Sequence, residues 1–123
     1  MRDALMGNVS RSCVASTIAV DVLGTPDQPR VLVTGDVDAL TVIELVEALA
    51  DALRARPAAL CVDLRSASFF GAAGLSALLS ARETACGQDT RWRVLIADHS
   101  IVWRVVDVTG LAGELNAVVA DPF

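Results

Sequence analysis

Lysine and tyrosine are absent from this 123-residue chain, and aromatic residues make up only 4% of it. All ten basic residues are arginine, and the net charge is −5. That balance argues against a nucleic-acid partner, because phosphate backbones are gripped by clustered cations. The arginines are scattered along the chain and read as solvated surface. The lack of lysine reads as codon bias in a GC-rich genome. Histidine occurs once, as His99, with no HExxH, P-loop or CxxC pattern nearby, so metal or phosphoryl-transfer chemistry has little support. Gly71-x-x-Gly74 falls short of the GxGxxG dinucleotide pattern and has no ribose-binding acid after it. We therefore expect no enzyme, no metal and no cofactor. Cys13, Cys61 and Cys86 lie far apart, as suits a reducing compartment. No apolar run approaches the ~18–20 residues of a membrane span, and residues 1–12 lack the apolar core of a signal peptide. The expectation is a cytoplasmic protein with no membrane insertion, monomeric or weakly dimeric.

Hydrophobic residues account for 54% of the chain. A single domain of this length buries roughly two thirds of its unfolded surface, and with so few aromatics its core must be built from Val, Leu, Ala and Ile. Residues 1–12 read as a flexible tail and 13–121 as the domain. Alternation of Ile18, Val20 and Val22 predicts a half-buried strand over 17–23. Gly24 to Pro29 reads as a turn, and 30–34 as the returning strand of a hairpin. Gly35-Asp36-Val37-Asp38 breaks that strand. A helix follows with Val42, Val46, Leu49 and Leu53 on one stripe. Thr41 with Glu44 has the spacing of a capping box, and Asp38 is a second candidate cap. Residues 58–64 form a nearly continuous apolar run, which suggests a central strand covered on both faces. A loop over 65–71 leads to a helix over 72–86, then a strand over 91–97. Asp98-His99-Ser100 opens a third helix over 101–108, closed by Thr109-Gly110. Residues 111–120 read as a short last helix. Trp92 and Trp103 read as half-buried packing residues. The order β-β-α-β-α-β-α-α implies an α/β domain with a mixed sheet, an antiparallel hairpin plus βα units, covered by about four helices.

The segment Asp63-Leu64-Arg65-Ser66-Ala67-Ser68-Phe69-Phe70-Gly71-Ala72-Ala73-Gly74-Leu75 resembles the signature of STAS domains, the module of bacterial anti-sigma factor antagonists. In that family the loop reads Asp-Ser-Ser-Gly-Leu, where Gly71 to Leu75 stand here. Two further segments carry the resemblance. Gly35-Asp36-Val37-Asp38 is similar to a Gly-Glu-Leu-Asp step after the second strand, and Thr109-Gly110-Leu111 is similar to the ending of the third helix.

The resemblance implies a STAS fold and a binding role. The partner would be an anti-sigma factor, usually a GHKL-type kinase, whose capture frees a sigma factor for transcription. The family's kinase phosphorylates the first loop serine and so breaks the complex. Here Ala72 occupies that position, Ala73 the second hydroxyl's, and Gly71 the acid's, so the usual phosphorylation site is gone. The serines close by, Ser66, Ser68 and Ser76, read as ordinary loop or helix residues. The implied partner surface comprises Gly71, Ala72, Ala73, Gly74, Leu75 and Ser76, flanked by Asp36, Val37 and Asp38. Three readings follow: a constitutive antagonist, a module regulated by thiol oxidation or a ligand, or a STAS subunit of another assembly such as a stress-signalling complex or lipid transport system. Of the thiols, Cys61 lies in the apolar strand and is expected to be inert. Cys86 sits at a helix end that disfavours a thiolate, and Cys13 is expected to be the exposed one.

Overall fold

The chain begins its described structure with a hairpin; the structure, a computed structural model, describes residues 18–120. Strand β1 (Ile18–Thr25) pairs antiparallel with β2 (Gln28–Val37) in unbroken register from Ile18↔Gly35 to Thr25↔Gln28. The turn is thus only Pro26-Asp27, shorter than the sequence suggested. Gly24 makes it feasible: its φ is +85°, and a Cβ there would stand 2.6 Å from the Gln28 carbonyl oxygen. Helix α1 (Val42–Arg54) leads to β3 (Ala59–Phe70), α2 (Ala72–Gly87), β4 (Arg91–Ile96), α3 (Ile101–Thr109), α4 (Ala112–Leu115) and β5 (Ala117–Val119). The sheet order is β1-β2-β3-β4-β5, with every pair after the first parallel. The mixed sheet with four helices matches the expected fold class. The readings for the tail and for Cys13 lie outside the described residues.

Three elements depart from the sequence reading. First, β2 does not break at Gly35 but runs on through Val37, because Thr34, Gly35, Asp36 and Val37 pair with Ser66, Ala67, Phe69 and Phe70. Second, that pairing extends β3 through the serine-containing stretch 65–70. The register shifts twice on the way, between Leu32 and Thr34 and between Gly35 and Asp36. Cross-strand hydrogen bonding here outweighs weak local strand preference. Third, residues 117–119 form an edge strand rather than more helix. Asn116, at φ 51° and ψ 48°, ends α4 in the left-handed region, its Nδ2 donates to the Trp92 carbonyl (2.8 Å), and its own carbonyl accepts from Val94 N (3.2 Å). Val118 and Val119 then pair with Leu95 and Ile96.

One sheet face holds the core. Val31 and Val33, Leu60, Val62 and Leu64, and Trp92, Val94 and Ile96 are all buried, against Leu45, Leu49 and Leu53 of α1, Leu75 and Leu78 of α2, and Val102 and Val106 of α3. The buried stripe of α1 therefore runs through Leu45; Val46 is exposed. Trp92 is buried rather than half-buried, its Nε1 donating to the Leu115 carbonyl at 3.0 Å. Among the described residues the opposite face is left largely uncovered, so β3 is not packed on both sides by them: Cys61 and Arg65 are only half-buried there. The exception is Asp63, 1% exposed beneath two arginines. Arg65 donates to both carboxylate oxygens, through Nε (2.9 Å) and Nη2 (2.8 Å), and Arg30 Nη1 adds a bond of 3.2 Å. Burial works to raise the Asp63 pKa, but the bonds from Arg65 and the charge of Arg30 outweigh it and hold the carboxyl below its usual range.

Candidate functional site

The carboxyl ends of the parallel strands β2 and β3 meet at Asp36↔Phe69 and Val37↔Phe70, and both chains turn there into helices. This is where open α/β sheets generally offer binding surfaces. The two turns are tied together by Gly71 N, which donates to the Val37 carbonyl at 3.0 Å.

The turn after β2 is a reciprocal cap. Asp38 Oδ1 accepts from the backbone N–H of Leu40 (2.9 Å) and Thr41 (3.0 Å), while Thr41 Oγ1 accepts from Asp38 N (3.0 Å) and donates to the Asp36 carbonyl (2.7 Å). Val42 N reaches the Asp38 carbonyl at 2.9 Å, which closes the first helical turn. The capping box is real but starts three residues earlier than the Thr41–Glu44 spacing suggested: Asp38 is the cap and Thr41 its reciprocal partner. The N–H bonds from Thr41 and Leu40 keep the Asp38 carboxyl below its usual pKa. The stabilisation they supply is present above about pH 4 and lost as pH falls through the lowered value. Replacing Asp38 by Ala is expected to lower the urea midpoint at neutral pH and speed amide exchange at Leu40 and Thr41. Unchanged exchange at those two amides would show that Asp38 does not hold the turn.

The turn after β3 has no such cap. Gly71 precedes α2 in an extended conformation (φ −96°, ψ −172°) and brings no side chain to the first-turn N–H groups. Gly74 N and Leu75 N donate to the Gly71 carbonyl (3.0 and 3.2 Å), while the N–H groups of Ala72 and Ala73 stand at the helix positions that have no intrahelical acceptor and carry a partial positive charge. Ala72 is exposed at the first helical position, Ala73 is half-buried and Ser76 is exposed about one turn further on. Gly74 is a packing requirement: a Cβ would lie 2.7 Å from Phe70 Cζ, 2.8 Å from Cε1 and 3.0 Å from Val37 Cγ1.

The proposed surface residues therefore divide. Asp36, Asp38, Gly71, Ala72, Ala73 and Ser76 reach the surface in whole or part. Val37, Gly74 and Leu75 do not: Val37 is fully buried, and Leu75 is 9% exposed within the core. These three fix the angle at which α2 leaves the sheet and do not present side chains to a partner. Sequence reasoning overlooked Leu40 (88% exposed), Ile43 (54%) and Phe69 (45%), apolar side chains on the same turns. Helix phase was the available signal, since Ile43 cannot share a face with Leu45 and Leu49. Beside them an apolar groove of about 690 Å³ runs between α1 and α2, lined by Val42 and Val46 on one side and Ala73, Ser76 and Ala77 on the other.

Other candidates are placed elsewhere. His99 is exposed, with Nε2 3.5 Å from Asp98 Oδ2 and its ring 5.6 Å from that of Trp103. Ser66 and Ser68 lie on β3 and are exposed. Among the described residues no three His, Cys, Asp or Glu side chains gather as a metal site, and no helix is long and apolar enough to cross a membrane. Of the described thiols, Cys86 is exposed and Cys61 half-buried. Burial pushes the Cys61 thiol upward in pKa, partly opposed by a hydrogen bond from Arg93.

Fold and site together define a single mixed-sheet α/β domain that presents an uncapped, small-residue helix start at the end of a parallel strand pair. The chain belongs to the STAS domain family: the family model described as "Mlab, STAS domain" matches residues 20–119. It is 32% identical over 77 residues to the anti-sigma-F factor antagonist RsfB of Mycobacterium tuberculosis, a stretch that covers 63% of this chain and 62% of the relative. An anti-sigma factor antagonist from Mycobacterium paratuberculosis superposes with a TM-score of 0.75 at 26% identity, covering 86% of each chain. The unphosphorylated form of the anti-sigma factor antagonist SpoIIAA superposes with a TM-score of 0.70 at 16% identity, over 85% of this chain and 90% of that one, and shows the shared fold.

Proposed function

We propose that this chain is an anti-sigma factor antagonist of the cytoplasm, acting by binding and not by catalysis. It captures an anti-sigma factor of the GHKL kinase type and so releases a sigma factor for transcription. The observation that carries this reading is the exposed, uncapped start of α2 at Ala72, flanked by Leu40, Ile43 and Phe69. The names of the relatives support it. Small side chains at 71–73 let a partner approach the backbone closely, and the apolar neighbours supply area that is favourable to bury.

The same position argues for a complex that phosphorylation does not dissolve. A phosphate at the first helical position would add nearly two negative charges beside the partner, but Ala72 has no hydroxyl to accept one. Asp36 and Asp38 flank the surface, Asp38 being occupied with its own turn. We place the free protein as a monomer or weak dimer.

Mixing the chain with its cognate anti-sigma factor and ATP should give a complex that survives gel filtration, with the chain's mass unchanged. Phosphate on Ser76, Ser68 or Ser66, with loss of the complex, would remove the idea of a constitutive antagonist. Ala72→Asp should weaken binding at least about tenfold, or roughly 1.4 kcal/mol. The fold should survive, because an acid is favourable in the first turn of a helix. An unchanged affinity would place the contact elsewhere. Co-purification with a transporter ATPase instead of a kinase would replace this reading with a subunit of a lipid transport system.

A further inference from the structure

The arginines that look scattered in sequence are gathered by strand register. Arg30 of β2 lies beside Cys61 of β3, and Cys61 beside Arg93 of β4, so two arginines flank one thiol in a single cross-strand row. With strands spaced ~4.8 Å apart, the two Cα atoms stand roughly 10 Å from each other, close enough for both guanidinium groups to meet above Cys61. Arg91, two residues before Arg93, points to the same open face and pairs across the ladder with Ala59. Together they line a cavity of about 550 Å³ that contains no acidic side chain. The nearby carboxylate of Asp63 is engaged by Arg65 and takes one bond from Arg30. Among the described residues neither Arg91 nor Arg93 has an ion-pair partner, although the chain as a whole carries a net charge of −5. Pro29, Trp92 and Leu95 add apolar wall.

We propose that this pocket, at the opposite end of the strands from the start of α2, binds a small phosphomonoester, with its phosphate between Arg30, Arg91 and Arg93 over Cys61. Guanidinium forks match phosphate oxygens two at a time. Three cations in one cavity suit a dianion better than a single carboxylate, and the apolar wall receives the organic part of the ligand.

The thiol in the floor reports occupancy. In a Cys13→Ser/Cys86→Ser background, alkylation of Cys61 by iodoacetamide is followed with inorganic phosphate, ionic strength being held constant with chloride. The rate should fall about tenfold at about ten times the phosphate dissociation constant. Acetate should protect less. The Arg91→Gln/Arg93→Gln variant, altered only at exposed positions, should keep its circular dichroism and lose the protection. Protection that chloride reproduces, or that persists in the double variant, overturns the site. Free glycerol phosphate and vesicles carrying phosphatidate then identify the source. Saturable protection by either one supports a phosphate site, and protection by neither overturns it.

Discussion

Replacing Asp63 by Asn is expected to cost about 3 kcal/mol of stability, read as a lower urea midpoint at pH 7. The carboxylate is 1% exposed and holds two guanidinium groups, with Arg65 only 11% exposed. Loss of one partner from such an arrangement leaves a desolvated charge uncompensated, typically at a cost of about 3–5 kcal/mol. Arg30 is 38% exposed and can turn to water, which places the expected value at the lower end. The pH dependence carries an independent signature. Asp63 has its pKa lowered in the folded state, so its contribution is fully present above the unfolded value near ~4 and is lost as pH falls through the folded one. The native protein should lose stability steeply below about pH 4, and the Asn variant less steeply over the same range. Parallel curves for the two proteins would show that the ion pair is not the origin of the acid sensitivity.

The second large effect is expected at Gly74. Valine there must push against Phe70, whose ring is 1% exposed and cannot swing away, and against Val37, which is fully buried. Overpacking of this kind costs about 1–3 kcal/mol, and a β-branched residue recovers little of the glycine's helix penalty. We expect a net loss of about 2–3 kcal/mol. Gly74→Ala is a closer contest, because better helix propensity returns up to about 1 kcal/mol. The double variant Gly74→Val/Phe70→Leu separates the causes: a smaller side chain at position 70 should recover part of the loss, giving a non-additive cycle. Strict additivity would show that the ring contact is not what excludes a side chain. Because Gly74 sits in the first turn of α2, two residues after Ala72, the variant should also shift the angle of Ala72 and, on the proposed function, weaken partner binding beyond the effect on folding.

Much of the local structure around the helix starts was legible from the chain. The Gly71 to Leu75 segment marked the start of α2, Ser100 capped α3 through Trp103 N, and Gly110 ended it in the left-handed region, as their residue types suggest. These features depend on neighbours within about one helical turn. The capping of α1 was harder, because Thr41 and Asp38 are both good caps and only hydrogen bonding shows that Asp38 accepts while Thr41 bonds back. The buried status of Val37 was concealed for another reason: strand β2 had to continue past Gly35, and that depends on β3.

Local periodicity, turn residues and a short motif were enough for the mixed α/β class, the element order up to α3 and the start of α2, since each rests on contacts a few residues apart. They were not enough for the length of β3, the edge strand β5 or the reason Gly74 must be glycine. Those follow from pairing and packing with other elements: Ser66 against Thr34, Val118 against Leu95, and helix α2 on Phe70 and Val37. The arginines show the same division most clearly. In the chain they are isolated charges; a parallel register spanning more than sixty positions puts Arg30, Cys61 and Arg93 in one row. No window of sequence contains that row, because the hydrogen-bonded ladder that aligns it forms only when the sheet does.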